Sequence, residues 1–201
     1  YTSPGTSSDG TVGHGLSQAP ELVIVKNRDS AYNWDVWNTA LSSGYDLILN
    51  TSAAQTSGRW STTIPTASLV TLKDTYEVNG TDKYIAYCFH SVEGYSKVGS
   101  YEGNANADGT FVYTGFQVAY LLTKSIDGSY NWYQTDNKST PINVRDNVLY
   151  PDLSVAHGSS WPWVDFLSNG FKLRTSSSGV NNNTFIYLAF AESPFKYSNA
   201  R

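Results

Sequence analysis

The chain carries the same pattern twice. Lys26, Asp29, Tyr32, Asn33 and Trp34 return as Lys124, Asp127, Tyr130, Asn131 and Trp132, an offset of 98. Leu47, Asn50, Ser52, Ala54 and Gln55 face Leu149, Asp152, Ser154, Ala156 and His157 at an offset of 102. The run Tyr84-Ile85-Ala86-Tyr87-Cys88-Phe89 is matched by Phe185-Ile186-Tyr187-Leu188-Ala189-Phe190 at 101. Collinear matches with drifting offsets mark a duplication with small loop insertions. They divide the chain into an N-terminal arm or linker over residues 1–14 and a duplicated domain over residues 15–201. The first half covers about 15–101 and the second about 111–197.

Each half is a series of short apolar or alternating runs bounded by Gly, Asn, Asp, Ser and Pro, the residues that set turns. In Trp34–Trp37 the alternation puts Trp34 and Val36 on one face and Asp35 and Trp37 on the other. No window of helical length carries an apolar stripe at helical spacing with a cap. The expectation is an all-β fold. A sheet of some six strands buries its apolar face only against another sheet, so the halves read as a β-sandwich with pseudo-twofold symmetry. The short connector 99–109, without a Pro-rich or charged run, predicts one fused body.

Composition removes several function classes. Aromatic residues make up 14% and charged residues 15%, which suits a chain that can bury a core and is not disordered. A net charge of −4 and the lack of any Lys/Arg cluster give no counterion-displacing surface, so nucleic acid is not an expected partner. The apolar runs are far shorter than the ~20 residues that span a bilayer, so membrane insertion is not expected. Cys88, the one cysteine, sits in an apolar run and reads as a buried thiol. No cofactor signature is present. Starting at Tyr1 and containing no Met, the chain reads as a processed product or a segment of a longer protein.

The residues that could carry chemistry are few. Asn104, Asn106 and Asp108 alternate oxygen-bearing side chains before Gly109, the spacing of a calcium loop. Two of the three are neutral amides and no Glu follows at the proper distance, so a polar turn is preferred and calcium is the lesser reading. His14, His90 and His157 lack ligand spacing, and no Gly-x-Ser-x-Gly elbow occurs. A glycosidase needs two facing carboxylates, and no strand carries a Glu-x-Asp alternation that would supply them. What remains is aromatic rings among amides and hydroxyls, the chemistry of sugar recognition. Trp161 and Trp163, flanking Pro162, are the leading candidates, followed by Trp37 and Trp60; Trp34 and Trp132, at equivalent positions, read as core. The Asn-x-Ser/Thr triplets at Asn50, Asn79, Asn137 and Asn182 are common in so polar a chain.

Several strings carry a family likeness: Ala86-Tyr87-Cys88-Phe89, Val92-Glu93-Gly94-Tyr95-Ser96-Lys97, Gly99-Ser100-Tyr101, Phe111-Val112-Tyr113-Thr114-Gly115-Phe116, and Asp165–Leu173 with Ala189–Phe195. With Ala19–Lys26 near the start, they span residues 13–196 and resemble an uncharacterised domain of bacteriophage tail-fibre-like and virion-surface proteins, of the marine phage type. One departure is Gln117-Val118, where that pattern has a basic residue and Pro. The resemblance implies a virion-surface, extracellular location, other virion proteins as neighbours and a homo-oligomer, with a trimer as the expected state. It supplies no catalytic residue. The expectation is therefore a non-enzymatic tail-fibre or spike module that binds host-surface carbohydrate without a cofactor. A purely structural virion module and a capsule-degrading glycosidase are the rivals.

Overall fold

The computed structural model describes residues 1–3, 5 and 8–194. The fold is almost entirely β, as expected. Among the described residues fourteen strands run in chain order: β1 (Gly10–Gly13), β2 (Leu22–Asn27), β3 (Trp34–Asn38), β4 (Tyr45–Ile48), β5 (Thr56–Ser57), β6 (Leu69–Leu72), β7 (Tyr84–Phe89), β8 (Ser96–Glu102), β9 (Phe111–Tyr113), β10 (Val118–Ser125), β11 (Tyr133–Asp136), β12 (Val164–Leu167), β13 (Gly170–Leu173) and β14 (Thr184–Ala191). One helical turn, α1 (Ser178–Asn181), is capped by the Ser177 side chain, which accepts the Gly179 N–H.

The chain forms two compact units, Tyr1–His90 and Ser91–Arg201. In the first, a five-stranded antiparallel sheet in the order β5-β4-β3-β2-β7 accompanies the β1-β6 pair. Alternation sends Val23 and Val25 of β2 and Trp37 of β3 into a core shared with Val70 and Leu72 of β6. Asp35 shares the face of Trp37, as the sequence alternation requires. In the second unit β11-β10-β14-β8 form one sheet and β12-β13-β9 another. Phe185, Tyr187 and Ala189 of β14 meet Phe171 and Leu173 of β13 and Val112 of β9 in a core with Trp163.

Strand register repeats the sequence duplication. Lys26 pairs with Ile85 between β2 and β7, and Lys124 with Ile186 between β10 and β14. Ile24 faces Val36 as Leu122 faces Gln134. Val12 faces Val70 as Val112 faces Phe171. Local hydrogen bonds follow suit: Lys26 Nζ donates to the carbonyls of Asn27 and Ser30, and Lys124 Nζ to those of Ser125 and Gly128. The Trp34 N–H is accepted by Asn50, the Trp132 N–H by Asp152.

Two boundaries differ from the sequence expectation. The arm over residues 1–14 contains β1, and the Tyr1 ring stacks on Tyr84 at 5.1 Å while its hydroxyl donates to the Val78 carbonyl. Tyr101 does the same in the second unit, stacking on Phe185 at 5.0 Å and donating to Val180. The arm is short of aliphatic residues, and it is anchored by the β1–β6 pairing and by one aromatic ring, neither of which composition alone revealed. The second difference is β8, placed by sequence at the end of the first half, which pairs with β14 in the second unit. The end of the second half, from residue 195, lies outside the described residues.

Candidate functional site

The four tryptophans proposed for a ligand sit in different surroundings. Trp37 and Trp60 stack on one another at 6.2 Å in the first core, 6% and 1% exposed. Trp163 is fully buried. Their faces are covered by protein, so the expectation that these three stack on a sugar is corrected: each is a core anchor. The indole N–H groups of Trp60 and Trp163 meet no acceptor among the described residues. Trp161 is the partly exposed member. It stacks on Trp163 at 5.9 Å with 8° between the planes, and it approaches Tyr133 at 5.5 Å. The partly buried ring therefore packs against the second core.

The calcium candidate is a turn. Asn104 Oδ1 accepts the Asn106 N–H, and Asn106 Oδ1 accepts the Asp108 N–H. Asn181 Nδ2 also donates to Asn104 Oδ1. The Asp108 carboxylate lies 2.7 Å from Lys172 Nζ and 3.7 Å from Arg174 Nη1, and these cations hold its pKa below the usual value. A calcium ion would have to displace these donors and approach two positive side chains.

Carboxylates do come together at Asp35 and Asp46, both fully buried, on either side of Arg59 Nε at 2.9 and 2.8 Å. Burial, with mutual repulsion, pushes Asp35 up to about 7, and burial pushes Asp46 up to about 6, against the pull of Arg59. Asp35 Oδ2 and Asp46 Oδ1 have no hydrogen-bond partner among the described residues. One guanidinium neutralises one carboxylate, and burial favours the protonated form of the other. The pair lies beneath Arg59 rather than across a cleft, so it lacks the access that glycoside hydrolysis requires.

The concave polar surface of the second unit was not found from sequence. A groove of about 400 Å3 is lined by Gln134, Thr135, Asp136, Ser139, Asn147, Val148, Leu149 and His157. The β11 strand supplies the first three, and a bridge between Val148 and Gly158 positions the facing loop. Burial opposes ionisation of Asp136, but the backbone N–H groups of Ser139 and Lys138 donate to it and hold its pKa below normal. The groove therefore carries a fixed negative acceptor. Gln134 Oε1 accepts the Tyr120 hydroxyl, and Asn147 Nδ2 donates to the Ser139 carbonyl, so both amides are oriented. His157 is exposed at the rim. In the first copy Val36 stands at the Gln134 position, and Gln55, at the His157 position, accepts the Ser42 N–H. The polar lining is shared only in part: Asn38, at the Asp136 position, accepts the Ala40 N–H, whereas Val36 replaces Gln134, and a search for repeated motifs passes over that difference.

Among the described residues no group of three or more His, Cys, Asp and Glu could hold a metal ion. The thiol of Cys88 is half-buried rather than buried, and burial raises its pKa. No described helix is long and apolar enough to cross a membrane. The family described as "Domain of unknown function (DUF7483)" matches residues 1–194, and the chain belongs to that family. No curated protein and no solved structure matches it.

Proposed function

We propose that this DUF7483 member is a non-catalytic module of a phage virion surface that holds a host glycan in the groove beside β11. The observation that carries the reading is the groove lining: two oriented amides, the Ser139 hydroxyl, an ionised acceptor and a rim imidazole beside the exposed aliphatic Leu149. Sugars present hydroxyl donors along with an apolar ring face, and such a lining meets both. The negative Asp136 favours neutral sugars over sialylated or sulfated ones. Sites of this size bind weakly, and a multimeric fibre multiplies the affinity through effective concentration. The virion assignment rests on the sequence resemblance.

The test is a glycan array and a cell-adsorption assay on the chain, beside His157→Ala and Gln134→Ala. Expected is binding to neutral glycans that falls about tenfold in each variant, since each lost hydrogen bond is worth roughly 1–1.5 kcal/mol. Retained binding in both variants moves the site elsewhere, with Trp161→Ala as the next arm. No binding by the parent favours a structural virion module.

A further inference from the structure

One sheet edge of the second unit carries no charge and exposes two aromatic rings. Among the described residues β9 pairs with β13 alone, and it ends the β12-β13-β9 sheet. Its ladder bonds involve alternate residues: the Thr110 carbonyl accepts the Leu173 N–H, and the Thr114 N–H donates to the Asn169 carbonyl. Phe111 and Tyr113, out of phase with them, turn their N–H and C=O groups away from β13, and no described residue donates to or accepts from them there. Their side chains stand on the face opposite Val112, which enters the core, and are 44% and 66% exposed. From Gly109 to Ala119 the chain holds no charged residue and no Pro, two of the devices that protect an edge strand. The equivalent strand of the first unit, β1, has Thr11 and Gly13 at these places.

We propose that β9 is the contact between two copies of the chain, pairing antiparallel with itself about a two-fold axis at Val112. The edge is its own complement. Thr110-Phe111-Val112-Tyr113-Thr114 reads nearly the same in both directions, so reversal sets Thr110 opposite Thr114, Phe111 opposite Tyr113, and Val112 opposite itself. In that register the outward groups meet, and each Phe111 exchanges both N–H···O=C bonds with Tyr113 of the other copy. The two rings then lie side by side on the outer face as an aromatic cross-strand pair. The axis stands normal to the sheet, so both Val112 side chains keep to the core side. The two sheets continue as one, in the order β12-β13-β9-β9-β13-β12.

Charge and area agree with a second copy as the occupant. Asp108, at the head of the edge, is paired with Lys172 at 2.7 Å, and across the axis it comes beside the uncharged stretch Gly115-Phe116-Gln117. Lys172 lies opposite Phe111 on β13, and Gly170 lies opposite Tyr113, so the row through each aromatic pair carries one cation and no like-charge contact. The contact is isologous and closes at two copies. A five-residue edge buries less than the ~1,200–2,000 Å2 of a stable complex, so the dimer is weak, with a Kd of roughly 0.1 mM.

Sedimentation of the full chain from about 20 μM to about 1 mM reads the association. Expected is a mass that rises from monomer toward dimer for the parent and for Tyr76→Lys, which alters an exposed ring of the first unit, while Phe111→Lys stays monomeric. Register is read separately, by oxidising Phe111→Cys and Tyr113→Cys chains that also carry Cys88→Ser. Mixed, they are expected to cross-link about tenfold more than either alone, since opposite residues lie ~5.5 Å apart and diagonal ones, at ~7–8 Å, exceed a disulfide's reach. A parent that stays monomeric or forms a trimer overturns the proposal. So does a dimer that Phe111→Lys leaves intact, or equal cross-linking in the mixture and in the separate chains.

Discussion

At Asp35 the first copy buries a carboxylate where the second, 98 residues on, has Tyr133; Asp46 faces Val148 in the same comparison. The charged cluster under Arg59 thus stands where the second copy builds an aromatic cluster of Tyr133, Tyr150 and Trp161, with edge-on and tilted rings. Each solution fills the same space, but only the first titrates. Both folded carboxyls bind a proton more tightly than their unfolded counterparts, so their contribution is fully present below pH ~4 and is lost as pH rises through about 7. Asp35→Asn removes one ionisation and keeps the shape. Thermal unfolding followed from pH 4 to 7 is expected to show parental stability falling, with the variant's slope flatter and its stability at pH 7 higher by roughly 1–3 kcal/mol. A parent whose stability rises over that interval contradicts the assignment. Trp163→Ala empties a fully buried site and is expected to cost ~3–5 kcal/mol in denaturant unfolding, whereas the half-buried Trp161→Ala costs about 1–2.

Among the elements, β8 shows most clearly how a single position limits pairing. Gly99→Ala places a methyl against the Tyr187 ring, with neighbours at 2.8 and 2.9 Å, and is expected to destabilise by about 1–3 kcal/mol. Combined with Tyr187→Ala, the residue type the first copy carries at Ala86, the loss is expected to be less than the sum of the two single changes. Additive losses in a double-mutant cycle would show that the contact does not limit pairing. This relation between Gly99 and Tyr187 is invisible in sequence, because it lies across a ladder between positions 88 residues apart. What the sequence did show was local. The Asp35/Trp37 alternation, the Lys26–Trp34 repeat and the β7/β14 match all survive as register. Trp37, Trp60 and Trp163 were misplaced because polar neighbours along the chain say little about what a ring packs against. Trp37 shares its face with Asp35, and it is the unusual burial of that acid that hid a core position. The β11 groove escaped because its lining joins a strand to loop residues 139–157, and no local pattern encodes that meeting.

Over the whole molecule, the repeated pattern accompanies two different electrostatic cores, and pH separates them. In the first unit the Asp35–Asp46 pair makes stability fall from pH 4 to 7. The second unit has one raised carboxyl, Asp152, shifted chiefly by burial, set against Asp108 and Asp136, both lowered. The lowered pair acts below the ordinary carboxylate range, so from pH 4 to 7 the second unit loses stability through the partly buried Asp152 and not through a fully buried pair. A second titration comes later. Lys124 is fully buried, and burial lowers its pKa to about 8 from 10.5. Between those values the unfolded chain holds the proton that the folded chain has released, so stability rises with pH. Tyr133 stays protonated throughout, pushed up to about 12 by burial and by the field of its neighbours Tyr150 and Asp152. Hydrogen exchange, corrected for the intrinsic pH dependence of amide rates, reads both units in one sample. Protection in β2, β3 and β4 is expected to decline more from pH 4.5 to 7 than protection in β10 and β14, and protection in β10 and β14 to increase from pH 8 to 10. Parallel changes in all five strands would mean that the buried charges of one copy do not set that copy's stability.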